Sequence, residues 1–459
     1  MKYFFLLLIS LSGKYLNAQP ITGTWQGTLE AQGFKLPVLF HIKQEGASLI
    51  STMDSPAQGA KGIKTDTTVF TNEELKITIN IIKAGYMGKL TRTDSIAGTF
   101  TQFGNSLPLG LKKSKDSIYK INRPQTPVPP FNYNIEDVTI KNDLQGNTLA
   151  GTLTTPFNKK DFPLVIMITG SGSQDRDETI FGHKPFWVIA DFFANHGIGV
   201  LRMDDRGVGG SEKGKDNTTS ADFATDINSA VNFLAKRGYK NIGLAGHSEG
   251  GMIAPIAASQ NKNIKFVVLM AAPGIPIDEL MLIQNSLIGK TSGLSSEQVD
   301  QNIARTKDLY QFIKNYTGND LKDALRKKAT LYFEKDTQTT AAQQQAVIEQ
   351  QVAVVSSPWF VYFIKFIPDS YIQKLNIPVL AINGSKDVQV AAKENLEGIK
   401  KSLQKAGNKN FEVAELKGLN HLFQEAGTGA VSEYATIEQT IAPDVLVLMK
   451  NWILKNAIH

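Results

Sequence analysis

Five short apolar runs set the tightest limit on what this chain folds into. Residues 163–169 (PLVIMIT), 198–203 (IGVLRM), 242–245 (IGLA), 266–270 (FVVLM) and 378–382 (PVLAI) are almost free of polar alternation. A strand with one wet face alternates apolar and polar residues; a strand covered on both faces has no reason to. Amphipathic stretches such as Ala221 to Lys236 lie between the runs. Apolar strands alternating with helices describe an α/β domain, a mostly parallel sheet with helices on both faces.

The pattern before residue 135 is different. From about Gly23 to Leu111 short alternating runs (residues 38–42, 76–81 and 96–100) are separated by Gly and Asn/Asp punctuation. That spacing predicts an antiparallel meander that closes or folds over, a small all-β, barrel-like domain. Its opening Gly23-Thr24-Trp25 resembles the first strand of lipocalin-like barrels. Between the two patterns stands RPQTPVPP, residues 123–130, where proline density prevents helix and marks a boundary. The expected organisation is a β domain over 19–120, a linker over 121–134 and the α/β domain over 135–459. From about 276 to 372 the alternation stops and helical spacing takes over, as after Ser295-Ser296-Glu297-Gln298, which has the form of a capped helix start. An insertion placed there sits above the C-terminal ends of the strands, where open α/β sheets bind ligands. It is expected to be a helical cap.

The first 18 residues have the three parts of a secretory signal: Lys2, an apolar stretch from Phe4 to Leu11, and Leu16-Asn17-Ala18 before Gln19. The apolar stretch is far shorter than the roughly 20 residues of a spanning helix, so no stable membrane anchor is expected. Its removal leaves a chain destined for the periplasm or the exterior. The net charge of +6 contains no dense Lys/Arg tract, hence no nucleic-acid footprint. The chain has no cysteine, which excludes a thiol nucleophile, a thiolate metal site and a lipidated N-terminal cysteine. No His/Asp/Glu cluster has metal-ligand spacing, and no cofactor is implied. The Gly-x-Gly at Gly207 and Gly209 lacks the last glycine of a dinucleotide fingerprint, since Glu212 stands there.

Chemistry concentrates in Gly246-His247-Ser248-Glu249-Gly250. In a Gly-x-Ser-x-Gly turn between strand and helix, the glycines let neighbouring backbone pass closely while serine is held out in a strained conformation. Ser248 is therefore the candidate nucleophile, and His247 beside it reads as structural. In such a sheet the acid and then the base follow the nucleophile along the chain. His421, in the loop after residues 411–416, is the candidate base. Asp387, just after the 378–382 strand, is the candidate acid, preferred over Glu394, Glu412 and Glu415, which read as helix surface or strand edge. An oxyanion needs two amides: that of Glu249, aided by the helix N-terminus, and that of Ser171 in Gly170-Ser171-Gly172, with Gly172 as second choice. Asp204 and Arg206 are expected to brace their loop.

With these residues in view, the region from about Ile135 onward resembles the EstD-type bacterial esterases of the α/β-hydrolase superfamily. The likeness rests on Gly170 to Asp177, Asp204 to Ser211, Gly246 to Gly251, Ser357 to Phe360, Lys386 to Val390 and Leu419 to Gln424. It implies the same Ser248–Asp387–His421 triad, a small-molecule ester as substrate and a carboxylesterase activity. Two departures stand out: Thr169 takes the place of the histidine in the His-Gly pair of many hydrolases, and Phe366 to Asp369 follows the family only loosely. A serine peptidase of the proline-iminopeptidase kind uses the same triad, and a lipid- or glycan-binding protein with secondary hydrolase activity is a third reading.

Overall fold

The fold is taken from a computed structural model that describes residues 21–31, 34–56, 60–102, 105–114, 122–157, 159, 161–333 and 341–457. The expected leader over 1–18 and the terminal His459 lie outside them. The chain divides into two compact units, one drawn from residues up to Lys120 and the other mainly from Ile121 onward.

The first unit is a closed antiparallel barrel. Its strands are β1 (Gly23–Ala31), β2 (Phe34–Glu45), β3 (Ser48–Ser55), β4 (Ala60–Lys64), β5 (Thr67–Thr71), β6 (Glu74–Ile79), β7 (Ala84–Arg92), β8 (Ser95–Gln102), β9 (Asn105–Pro108) and β10 (Leu111–Ser114). Eight of them form the ring, in the order β10-β1-β2-β3-β5-β6-β7-β8, and β10 closes it by pairing Leu111 with Ile96 of β8. Closure leaves no free sheet edge around the ring. Trp25, Phe40, Leu75, Tyr86 and Phe100 are buried together in the core. The Tyr86 ring fits because Gly88 two residues along its own strand and Gly98 diagonally across on β8 carry no side chain: a Cβ on Gly98 would lie 2.4 Å from the phenol oxygen. Across β1, β2 and β3 a polar chain links Thr24 Oγ1 to His41 Nδ1 at 3.0 Å and His41 Nε2 to Asp54 Oδ2 at 2.9 Å.

The second unit is a doubly wound sheet. Strands β11 (Tyr133–Asn142), β12 (Asn147–Pro156), β13 (Leu164–Ile168), β14 (Gly199–Met203), β15 (Ile242–His247), β16 (Ile264–Met270), β17 (Val379–Gly384) and β18 (Phe411–Leu416) lie in the order β11-β12-β14-β13-β15-β16-β17-β18. From β14 to β18 neighbouring strands are parallel; β12 pairs antiparallel with both β11 and β14. The uninterrupted apolar runs have their reason here. Leu164, Ile166 and Ile168 of β13 enter the core on one face, with α2 (Ser220–Lys236), α3 (Gly250–Ala258) and α10 (Ala392–Lys405). Val165 and Met167 enter the core on the other, with α1 (Pro185–Asn195) and α11 (Pro443–Asn456). Chain order reverses at β13, which has β14 on one side and β15 on the other, so a crevice opens above the C-terminal ends of β13 and β15.

Between β16 and β17 lie α4 (Ile277–Thr291), α5 (Ser296–Asn315), α6 (Leu321–Phe333), α7 (Ala341–Val355), α8 (Pro358–Ile364) and α9 (Asp369–Ile372). Helix α5 starts on a reciprocal cap: the Gln298 amide donates to Ser295 Oγ and the Ser295 amide to Gln298 Oε1. Among the described residues no helix is long and apolar enough to cross a membrane.

The proline-rich stretch differs from a bare linker over 121–134. Strand β11 already begins at Tyr133. Arg123 donates to the carbonyls of Phe181, Ala435 and Ile437 at 2.8–3.0 Å. Gln125 accepts from the amides of Thr440 and Ile441 and donates to the Ile441 carbonyl. Proline at this density has few amides of its own to offer, so the polar side chains between the prolines make the attachment. Arg123→Ala should therefore lower the stability of the second unit by about 1–3 kcal/mol while leaving its activity per folded molecule intact. The denaturant midpoint of the full chain, followed together with turnover, checks this.

Candidate active site

Ser248 follows β15 directly and has φ +53°. A non-glycine residue held in that region costs on the order of 1–3 kcal/mol and persists only where its surroundings enforce it. Here they do. The Ser248 amide donates to Met270 O of neighbouring β16 at 2.9 Å, and the Ser248 carbonyl accepts from Gly251 N at 2.9 Å. The flanking glycines are steric necessities: a Cβ on Gly246 would lie 2.1 Å from the Gly250 carbonyl oxygen, and one on Gly250 2.2 Å from that of Ile168.

His421 sits in the loop after β18 and Asp387 in the turn after β17. Both are buried, with His421 Nδ1 2.7 Å from Asp387 Oδ2. The other carboxylate oxygen accepts from the amides of Gln389 (2.7 Å) and Val390 (2.9 Å), which fixes the plane of the acid. The two loops are joined where Lys386 N donates to Leu419 O at 2.9 Å. The other acids considered are exposed: Glu394 in α10, Glu412 and Glu415 on β18.

Ser248 and His421 line one cavity of about 290 Å³, with Ser171 and Glu249 in the same wall. Gly172, the second choice for the oxyanion amide, lines an adjoining cavity instead. The Gly170 amide is already engaged, donating to Glu178 Oε1 at 2.7 Å. Leu280 and Met281 of α4 and Phe360 and Phe363 of α8 supply an apolar wall opposite.

The adjoining cavity, about 370 Å³, shares Gly170, Glu249 and Trp359 with the first. The partition is a latch: Glu249 Oε1 accepts from Ser220 Oγ at 2.7 Å and from Trp359 Nε1 at 2.8 Å. Leu149, Met203, Ile227 and Ile253 are among its apolar lining, and Lys213, Asn217 and Thr218 add polar groups. Sequence reading gave no role to Ser220 or Glu178. Trp359 and the run up to Asp177 were noticed only as motif members, because partners 29 to 110 residues apart leave no periodic signal.

Asp204 and Arg206 brace as expected. Asp204 grips the Arg176 guanidinium through both oxygens (3.0 and 2.7 Å), and Arg206 pairs with Asp226 of α2. Thr169, where many hydrolases carry histidine, donates its hydroxyl to Asp205 Oδ1 at 2.8 Å, while Asp205 Oδ2 accepts from Gln174 N at 2.9 Å. The loop after β13 is thus pinned by a carboxyl from the end of β14.

Residues 163–419 match the family model of the α/β hydrolase fold. The chain belongs to that family. Esterase EstD of Thermotoga maritima is 27% identical over 296 residues, 64% of this chain and 61% of that protein, so the chain spans less than two thirds of its length. An esterase structure from Pyrococcus furiosus aligns with 17% identity over 74% of this chain and 99% of its own, at a TM-score of 0.43. A proline iminopeptidase from Mycobacterium smegmatis aligns with 13% identity over 70% of this chain and 99% of its own, also at 0.43.

Within this hydrolase fold Asp205 gives the site a measurable pH dependence. Burial above all, and then the carboxylates of Glu178 and Glu249, push its carboxyl up to about 7 against the hydrogen bonds from Gln174 and Thr169. The folded state therefore binds a proton that the unfolded chain releases near pH 4. The stabilisation is full below that value, falls as pH rises and is gone above about pH 7. Asp205→Asn should flatten the decline in melting temperature between pH 5 and pH 8, read from melting curves of both proteins.

Proposed function

We propose that this chain is an exported carboxylesterase that hydrolyses small-molecule esters through an acyl-enzyme on Ser248. The observation that carries the reading is the placement of an elbow serine and a carboxylate-bound histidine in the wall of one cavity. His421 takes the Ser248 proton as the hydroxyl oxygen attacks the ester carbonyl, and Asp387 holds the imidazole in the tautomer whose Nε2 is free to act. The amides of Glu249 and Ser171 hold the oxyanion. The imidazolium then returns its proton to the departing alcohol, and water, activated by the same base, releases the acid.

Ester is favoured over amide by the charges of the cavity. An aminopeptidase must hold a substrate ammonium with a free carboxylate. Oε1 of Glu178 meets Gly170 N and His247, and Oε1 of Glu249 accepts from Ser220 and Trp359. In the adjoining cavity Asp204 is paired with Arg176, Asp205 with Thr169 and Gln174, Asp216 with Lys213 and Asp226 with Arg206. Export rests on the first 18 residues, and the barrel is assigned no chemistry.

Ser248→Ala and His421→Ala should each lower kcat by at least about 10⁴-fold, with a double variant no worse, because the two act as one unit. Near-normal turnover by Ser248→Ala would end the reading. A panel comparing kcat/KM for short acyl esters with that for aminoacyl and prolyl amides separates the two hydrolase classes. Esters should lead by orders of magnitude, and parity would move the assignment to a peptidase. The paired cavities suggest that the two halves of the ester lie either side of the Glu249–Trp359 latch. Trp359→Ala should then raise kcat/KM for bulky esters relative to small ones.

A further inference from the structure

His247, the residue before the nucleophile, is buried and makes two polar contacts. Its Nδ1 lies 2.9 Å from Glu178 Oε1, and its Nε2 lies 3.0 Å from the backbone carbonyl oxygen of His421. A carbonyl can only accept. Glu178 Oε1 is already an acceptor, since the Gly170 amide donates to it at 2.7 Å. A neutral imidazole carries a single N–H, so beside a Glu178 carboxylate it would leave a ring lone pair facing an oxygen lone pair. Both side chains are more than nine-tenths buried, so such a clash would be costly. Both ring nitrogens find acceptors when His247 is an imidazolium and Glu178 a carboxylate.

We propose that His247 and Glu178 are a positioning pair: the imidazolium ties the His421 loop, through its carbonyl, to the oxyanion loop, through Glu178 and the Gly170 amide. This rests on the hydrolytic reading of Ser248 and His421. The pair reaches both halves of the machinery from one point. The His247 and His421 rings stand 4.8 Å apart, and Gly170 is the residue immediately before Ser171. Glu178 itself has φ +52°, a backbone conformation that a long side chain adopts only when its surroundings enforce it. The charged and titratable groups facing His247 are Glu178 from the loop after β13, His421 from the loop after β18 and Asp387 from the turn after β17. Burial draws the imidazole toward neutrality; the charge and hydrogen bond of Glu178, with the His421 carbonyl and Asp387, outweigh it and raise its affinity for the proton.

Glu178→Gln tests the charge rather than the shape. Glutamine keeps an oxygen at this position but no longer holds His247 protonated, so the neutral ring must give up one of its two links. The expected result is a 10- to 100-fold lower kcat on a small ester, with KM changed less than about threefold. The alkaline limb of the kcat–pH profile should move at least one unit toward acid, while the acid limb stays within half a unit. An unchanged kcat and profile would overturn the proposal. So would a lower kcat with an unmoved alkaline limb, since that is what a merely structural contact gives. If the variant fails to fold, ring-nitrogen NMR of the ¹⁵N-histidine-labelled wild-type protein at pH 8 decides instead. His247 should carry protons on both nitrogens there, and a neutral ring would overturn the proposal. That measurement does not depend on turnover, so its failure is distinct from loss of the esterase reading, which Ser248→Ala tests.

Discussion

The left-handed backbone of Ser248 is the constraint around which the second unit is arranged. The conformation is unfavourable on its own, and it survives because β15 is clamped between β13 and β16 while α3 starts at once behind it. Close packing needs glycine on both sides: the backbone of the Gly246–Gly250 turn lies against itself and against the end of β13. An ordinary side chain at either position would push the elbow out of the crevice. The sheet must therefore be rigid before the serine can be strained, which is why fully apolar strands and a two-faced core come first in the causal order.

Around that elbow four carboxyl groups, Glu178, Asp205, Glu249 and Asp387, are gathered in the interior or at its margin. Unsatisfied, such groups would each be strongly destabilising. Each instead joins elements that are separate in sequence. Glu178 accepts from His247 and Gly170, Asp205 from Thr169 and Gln174. Glu249 accepts from Ser220 and Trp359, and Asp387 binds His421 and two amides of its own turn. The loops after β13, β14, β15, β17 and β18 are stitched together by acceptors with little freedom. Preorganisation of this kind is what electrostatic stabilisation of a transition state demands, because groups already oriented need not reorganise as charge develops.

The strands and the elbow were legible because each depends on local pattern. Unbroken apolar runs report two-sided burial, and the glycine spacing reports backbone crowding. The contact between His421 and Asp387 could be anticipated from chain order. Closure of the barrel could be read only as one of two options, since pairing of Leu111 with Ile96 is a tertiary fact. What escaped is of one kind: polar partners brought together by the fold. Arg123 looked like part of a tether, yet its guanidinium is held by carbonyls more than 300 residues downstream. His247 looked structural because a residue beside an elbow serine points away from the substrate. Its partners, Glu178 and the His421 carbonyl, lie 69 and 174 residues away. Thr169 looked like a defect in a family pattern until Asp205 supplied its partner.

The cap is tied to this interior in a way its sequence does not advertise. Ion pairs such as Arg326–Glu349, Lys328–Asp308 and Lys314–Asp278 stitch its helices together at the surface, where solvent screens them. Beneath these pairs Tyr310, Ile313, Leu325, Ile348 and Val352 are buried in the main core, together with Phe360 and Phe363 of α8. Trp359 adds a polar tie, because its indole N–H ends on Glu249, whose backbone amide is the proposed oxyanion donor next to Ser248. A displacement of α8 is therefore passed along a single hydrogen bond to the group that must meet the developing charge. In the proposed mechanism, fit of the substrate against the cap and geometry of the oxyanion site would be coupled through Glu249, which belongs to the elbow and accepts from the cap.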